Sequence, residues 1–144
     1  MTHAREEIEE VLNYLLPFAE RMLSERGEFY PYAAAMAPDG EVSAVAAGTE
    51  EVDPDVGDLL VDLHAVLREQ AAEGSIRASG IAADVTLTDP DSGHTTDAVQ
   101  VELDHADGGA LDIYVPYERA GEDVKFGELV AAQGREPVFS AGAV

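Results

Sequence analysis

The sequence predicts an α+β fold, a two-layer sandwich with two helices on one face of a five- or six-stranded, mainly antiparallel sheet. Two observations favour it. Apolar residues recur at three- and four-residue spacing in two segments, as in amphipathic helices. In the second half of the chain they alternate with polar residues, as in strands with one buried face. The predicted order is α-β-β-α-β-β-β, with a further C-terminal strand left open.

The first helix is predicted from Ala4 to Arg26. Pro17 lies inside this segment and lacks a backbone donor, so we expect a kink or two consecutive helical pieces. Gly27 is a natural C-terminal stop, since glycine readily adopts the left-handed conformation that ends helices. The apolar face comprises Ile8, Val11, Leu12, Leu15, Phe18, Ala19, Met22 and Leu23.

A hairpin and a second helix follow. The two strands of the hairpin are predicted at Tyr32 to Met36 and Val42 to Ala46. They are joined by Pro38-Asp39-Gly40, whose residue types favour a tight turn. Asp53-Pro54 provides an N-cap and a first-turn proline for the second helix, which is expected to end near Gly74.

Three alternating strands complete the predicted sheet. Their apolar positions are Ile81, Ala83, Val85, Leu87, Val99, Val101, Leu103, Leu111, Ile113 and Val115. We expect the intervening residues on a solvent-facing side: Asp84, Thr86, Gln100, Glu102, Asp104 and Asp112. A last extended segment, Val124 to Val130 or Glu136 to Phe139, is expected either to add an edge strand or to lie over the sheet. The prediction is a single domain over residues 1–139 and a frayed tail at 140–144.

Charge is the strongest compositional feature: the 144 residues include 30 Asp and Glu but only 8 Lys and Arg, a formal net charge of −22. No basic patch of useful size can form, which argues against a nucleic-acid or anionic-membrane partner. The absence of cysteine excludes disulfides, thiolate ligands and cysteine nucleophiles. The acidic N-terminus is unlike a signal peptide, and no apolar window is long enough to cross a bilayer, which favours a cytoplasmic location.

The acidity has two interpretations. An evenly spread negative surface keeps a protein solvated, as in a salt-adapted host. Alternatively, an acidic face binds a basic protein, as nuclease inhibitors and immunity proteins do. Salt discriminates between them, because screening stabilises a self-repelling fold but slows association with a basic partner.

The segment Gly27 to Ala33 holds the densest group of aromatic residues in the chain. It either lines a pocket or interface, or staples the first helix to the first strand. Its residues Glu28-Phe29-Tyr30-Pro31 resemble a family of small uncharacterised prokaryotic α+β proteins, in which such a segment leads from the first helix into a hairpin with an Asp-Gly turn. The resemblance covers mainly residues 1–48 and implies a fold without an activity. The element order is also similar to roadblock-type and longin-like domains, which are dimeric scaffolds, although no C-terminal helix is predicted here.

Candidate ligand sites are few. The segment Asp89 to Asp97 places oxygen ligands at positions one, three and nine of a calcium-like loop, but it has proline at position two and no glutamate at position twelve. A solvated hairpin loop is the favoured interpretation. His64 or His105 could join Asp104 or Asp107 in a transition-metal site, although a lone histidine more often satisfies local hydrogen bonds. The sequence contains no nucleophile elbow, Walker loop or dinucleotide-binding motif.

These observations favour a non-enzymatic acidic binding domain that contacts another protein or a second copy of itself, with no cofactor or metal. Inhibition of a basic protein, or immunity against it, is one specific form. The alternatives are a small metal-dependent or carboxylate-based hydrolase and a homodimeric scaffold. No catalytic residue is assigned, and the candidate interaction surface comprises Tyr30, Tyr32, Glu102, Asp104, Asp112, Tyr114 and Tyr117.

Overall fold

The computed structural model describes residues 4–45, 55–88, 90–106, 110–120 and 123–133. Within these ranges the chain forms two helices and seven strands, which confirms the α+β class and exceeds the five or six strands expected. The elements are α1 (Ala4–Arg26), β1 (Tyr32–Met36), β2 (Val42–Val45), α2 (Val56–Glu73), β3 (Ala78–Thr88), β4 (Thr95–His105), β5 (Leu111–Ala120), β6 (Asp123–Phe126) and β7 (Val130–Gln133).

The strands form one open antiparallel sheet in the order β2-β1-β3-β4-β5, with β6 and β7 both paired to the outer edge of β5. The outer edge is interrupted between β6 and β7, where the Gly127 backbone N–H donates to the carbonyl oxygen of Pro116 at 2.7 Å. Because proline has no N–H for the ladder, such a break is where a sheet tolerates it. The predicted segment Val124 to Val130 spans this break, and Glu136 to Phe139 and the tail lie outside the described residues.

Helix α1 has the predicted bounds and is uninterrupted at Pro17, so the expectation of two helical pieces was wrong. Pro17 is exposed, and the carbonyl that it leaves without an intrahelical partner is on the water side of the helix. The helix ends at Gly27, which has φ of 79° and donates from its N–H to the Leu23 carbonyl at 2.9 Å.

The two helices lie on opposite faces of the sheet, so the predicted two-layer sandwich was wrong. Successive strand residues point to opposite faces. In β1, Ala34 and Met36 belong to the core under α1, whereas Ala33 and Ala35 belong to the core under α2. The central strand β3 is buried on both faces from Ala78 to Ala83. The alternation of apolar and polar residues does not predict the burial of this segment, because a strand covered on both faces needs no polar face.

Helix α2 is capped at both ends. The Asp55 carboxylate accepts from the Asp58 backbone N–H at 3.1 Å, and Gly74 closes the helix with φ of 74°. The end near Gly74 is confirmed, whereas the N-cap is Asp55 and not Asp53, because the helix begins at Val56. Asp53-Pro54 and the predicted strand residue Ala46 lie outside the described residues.

Two apolar cores result. The larger joins α1 to β1, β3, β4 and β5, and the smaller joins α2 to β1 and β3. Neither described helix has the length and apolarity that crossing a bilayer needs.

Candidate functional site

The imidazole of His64, on α2, is bonded at both ring nitrogens. Its Nδ1 lies 2.8 Å from the carbonyl oxygen of Leu60, and its Nε2 lies 2.8 Å from Oε2 of Glu102 on β4. The ring thus lies between a carbonyl oxygen of its own helix and a carboxylate oxygen of β4. With a side chain only 7% exposed, His64 fixes α2 to the sheet.

A second network of hydrogen bonds joins His105 to α1. His105 Nε2 lies 2.8 Å from Oε1 of Glu7, and Arg77 donates to the second Glu7 oxygen and to the carbonyl oxygen of Pro38. The hydrogen bond from His105 and the charge of Arg77 outweigh burial and hold the pKa of Glu7 below its ordinary value of 4.5. This network ties the start of α1 to β3, β4 and the β1–β2 turn.

Within the part of the chain that the structure describes, no group of three His, Asp or Glu side chains is arranged to hold a metal ion. Of the proposed calcium-like loop, Asp89 lies outside the described residues and Asp91 is exposed. Ser92 accepts from the His94 backbone N–H at 3.1 Å, and Gly93 has φ of 73°. These are local turn contacts of a β3–β4 hairpin, and Asp107 also lies outside the described residues.

Four predicted surface residues share the sheet face opposite α1. Glu102 pairs directly with Asp112 across β4 and β5, and Asp104 lies two residues further along the same face. Asp104 and Asp112 are only 6% and 4% exposed, so these carboxylates do not form an accessible acidic surface. Tyr114 is half-buried, and its hydroxyl lies 3.4 Å from Nε2 of Gln100.

Two of the predicted surface tyrosines instead belong to the α1 side. Tyr117 is 4% exposed and donates from its hydroxyl to Oδ1 of Asp84 at 2.6 Å. Tyr32 donates to the Leu15 carbonyl and packs edge-on against Phe29 with ring centroids 5.7 Å apart. Burial raises the pKa of Tyr32. Tyr32 joins α1 to β1, as the staple interpretation expected.

Tyr30 is the remaining predicted surface residue, and at 48% exposure it borders a cleft of about 310 Å³. The cleft lies where α1 ends, α2 begins and β3 continues past the start of β1. Tyr32, the first residue of β1, pairs with Ala82, so Asp84 lies on the part of β3 that extends past the start of β1. The lining residues are Met22, Arg26, Glu28, Phe29, Tyr30, Val56 and Asp84.

The described lining of this cleft combines apolar walls with opposite charges. Glu28 and Asp84 contribute carboxylates, and Arg26 contributes one guanidinium. The hydroxyl of Tyr117 holds the Asp84 carboxylate in place. Another cleft, of about 320 Å³ between β2 and the end of α2, has described lining residues that are small or uncharged, so it offers less for recognition.

Of these lining residues, only Tyr30 belongs to the interaction surface predicted from the sequence. The aromatic density of Gly27 to Ala33 was the signal that found it. Asp84 was assigned to a solvent-facing side because alternation does not show which face of a central strand meets which helix. The two helix ends meet here only through the tertiary fold.

Comparison of the chain with protein-family models, with curated proteins and with solved structures gave no match. The functional inference therefore rests on the chemistry and geometry of this site.

Proposed function

We propose that this protein is a non-enzymatic binding domain that recognises a basic segment of another protein. The observation that carries the proposal is the cleft at the end of α1, where the exposed ring of Tyr30 and the carboxylates of Glu28 and Asp84 line one space. Aromatic faces and carboxylates are the two groups that proteins use to bind cationic side chains.

The charge of the whole chain supports a basic partner. A net charge of −22 attracts cations over distances longer than any single contact and raises the rate of encounter at low salt. Charges outside the centre of a binding interface affect the association rate more than the affinity of the final complex. The cleft then provides the short-range recognition that a uniformly acidic surface lacks.

The positions of His64 and His105 favour binding over the hydrolase alternative. Both ring nitrogens of His64 face acceptors at 2.8 Å, and Nε2 of His105 faces Glu7 at the same distance. A general base must reach the proton that it abstracts from a substrate. These rings instead connect helices to strands, which supports a structural role for both.

A display selection with a random peptide library on the immobilised protein tests the proposal. We expect enrichment of peptides that carry Arg or Lys, with affinities that fall as NaCl rises. Each enriched peptide is compared with a version in which citrulline or acetyl-lysine replaces the cation. Enrichment of neutral or acidic peptides, or equal binding of the uncharged versions, would contradict the proposal.

Self-association is the second candidate, and the outer edge of the sheet favours it. Leu129, directly before β7, and Val130, its first residue, are 48% and 54% exposed. An edge strand with exposed apolar side chains can pair with the same edge of a second copy. Light scattering tests this form: a concentration-dependent dimer that Val130→Lys abolishes supports it, and a monomer at all concentrations overturns it.

A further inference from the structure

We propose that the cleft at the end of α1 binds the side chain of an arginine from the basic partner. This inference rests on the proposed function and specifies its recognition site. An arginine combines an apolar stem with a planar, permanently charged head. The described lining offers a matching surface for each part.

The stem would lie against the apolar walls. Met22, Phe29 and Val56 line the cleft, and Val56 is 46% exposed. Covering such surface contributes favourably to binding in proportion to the apolar area removed from water. Tyr30 adds an exposed aromatic face, on which a guanidinium stacks more favourably than a compact ammonium.

The charged head has a fixed acceptor in Asp84. Tyr117, only 4% exposed, donates to Oδ1 of Asp84 at 2.6 Å and thereby orients the carboxylate before a ligand arrives. A carboxylate offers about four lone-pair positions, so one that already accepts hydrogen bonds within the protein can also accept from a guanidinium fork. Preorganisation of this kind reduces the entropy lost on binding.

The described lining of the cleft has a net negative formal charge, which favours a cationic ligand. Glu28 and Asp84 outnumber Arg26, so an arginine neutralises the described lining. The protein already shows this type of contact on α1, where the guanidinium carbon of Arg21 lies 5.4 Å from the ring centroid of Phe18. Tyr30 presents a comparable aromatic ring to a cation from outside.

NMR titration of the isotopically labelled protein tests the inference directly. The probes are N-acetylarginine methylamide, its citrulline analogue, which is similar in shape but uncharged, and its lysine analogue. We expect saturable shifts at Phe29, Tyr30 and Asp84 with the arginine probe, weaker shifts with the lysine probe and none with citrulline.

Matched variants locate the contact. Tyr30→Ala should weaken the arginine probe about fivefold through the lost cation–π contact, and Glu28→Gln about twofold. Tyr14→Ala is the control, because Tyr14 is also an exposed aromatic residue, at 46%, but does not line the cleft. It should leave the affinity unchanged.

Three results would overturn this assignment: equal binding of the citrulline probe, shifts spread over the whole acidic surface, or an unchanged affinity in both Tyr30→Ala and Glu28→Gln. Basic peptides from the display selection test the class of partner separately from the location of the binding site. If their affinity falls with salt but is the same for wild type and Tyr30→Ala, the class of partner is right and the assignment of the cleft is wrong. If no cationic peptide binds, the proposed function itself fails.

Discussion

Nε2 of His105 lies 2.8 Å from Oε1 of Glu7, which joins the last residue of β4 to the first turn of α1. The two residues are 98 positions apart in the chain, and their side chains are 3% and 13% exposed. Arg77 bonds to the other oxygen of the same carboxylate. One carboxylate thus ties the start of α1 to β3 and β4, at the opposite end of the helix from the cleft.

Replacing this carboxylate should destabilise the fold. Glu7→Gln keeps the shape but removes the charge that His105 and Arg77 share, and we expect a loss of about 1–3 kcal/mol in the free energy of unfolding. Urea denaturation measures it. The same substitution at exposed Glu10 is the control and should change stability by less than about 0.5 kcal/mol. Equal effects at the two positions would show that the network contributes nothing specific.

The contribution of Glu7 should also depend on pH. Its pKa in the folded protein is below the ordinary 4.5, so the carboxylate stabilises the fold above that pH. This stabilisation is lost as the pH falls through the lowered pKa, because protonation removes the charge that faces His105 and Arg77. The difference in unfolding free energy between wild type and Glu7→Gln should shrink in acid. A difference that grows as the pH falls would contradict this.

Gly80 on β3 is required by the close approach of α1. A Cβ at this position would lie 2.6 Å from Cδ1 of Leu15 and 2.9 Å from Cγ1 of Val11. Gly80→Ala should therefore cost about 1–3 kcal/mol through overpacking, measured by thermal or urea unfolding. At Gly127 the same substitution meets only ordinary contacts, at 3.5 Å and beyond, and should be tolerated. Equal stability of the two variants would rule out the close approach.

Tyr117→Phe should affect both stability and the cleft. The lost hydroxyl donates to Asp84 at 2.6 Å, and we expect a cost of about 1.5–3 kcal/mol with a weaker response to the arginine probe. Tyr114→Phe is the matched comparison, since its hydroxyl contact with Gln100 is long at 3.4 Å. Denaturation and NMR titration of both variants check this, and a larger effect at Tyr114 would contradict the assigned role of Tyr117.

The sequence was sufficient for α1, β1 and the end of α2 because local signals specify them. Helix α1 has its predicted bounds, β1 has the predicted residues, and α2 ends at Gly74. Each rests on periodicity or on a glycine that the local backbone needs. The break at Pro116, by contrast, becomes clear only once β6 and β7 pair with the same strand.

The placement of the helices could not be predicted from periodicity. Ala33 and Ala34 are both small and apolar, so the sequence does not show that they face different helices. Asp84 has the same ambiguity, since a polar residue in a central strand with a helix on each face is compatible with either face. For this reason the sequence predicted only part of the cleft. The density of aromatic residues identified Tyr30, but only the tertiary fold places Asp84 and Val56 beside it.

The most direct test of the central claim is the affinity of one selected arginine-containing peptide for wild type and Tyr30→Ala, measured by calorimetry at low and high NaCl. We predict that wild-type binding weakens as salt rises and that Tyr30→Ala binds about fivefold more weakly at each salt concentration. Affinity that changes with neither salt nor the Tyr30 substitution would contradict an acidic binding domain that uses this cleft.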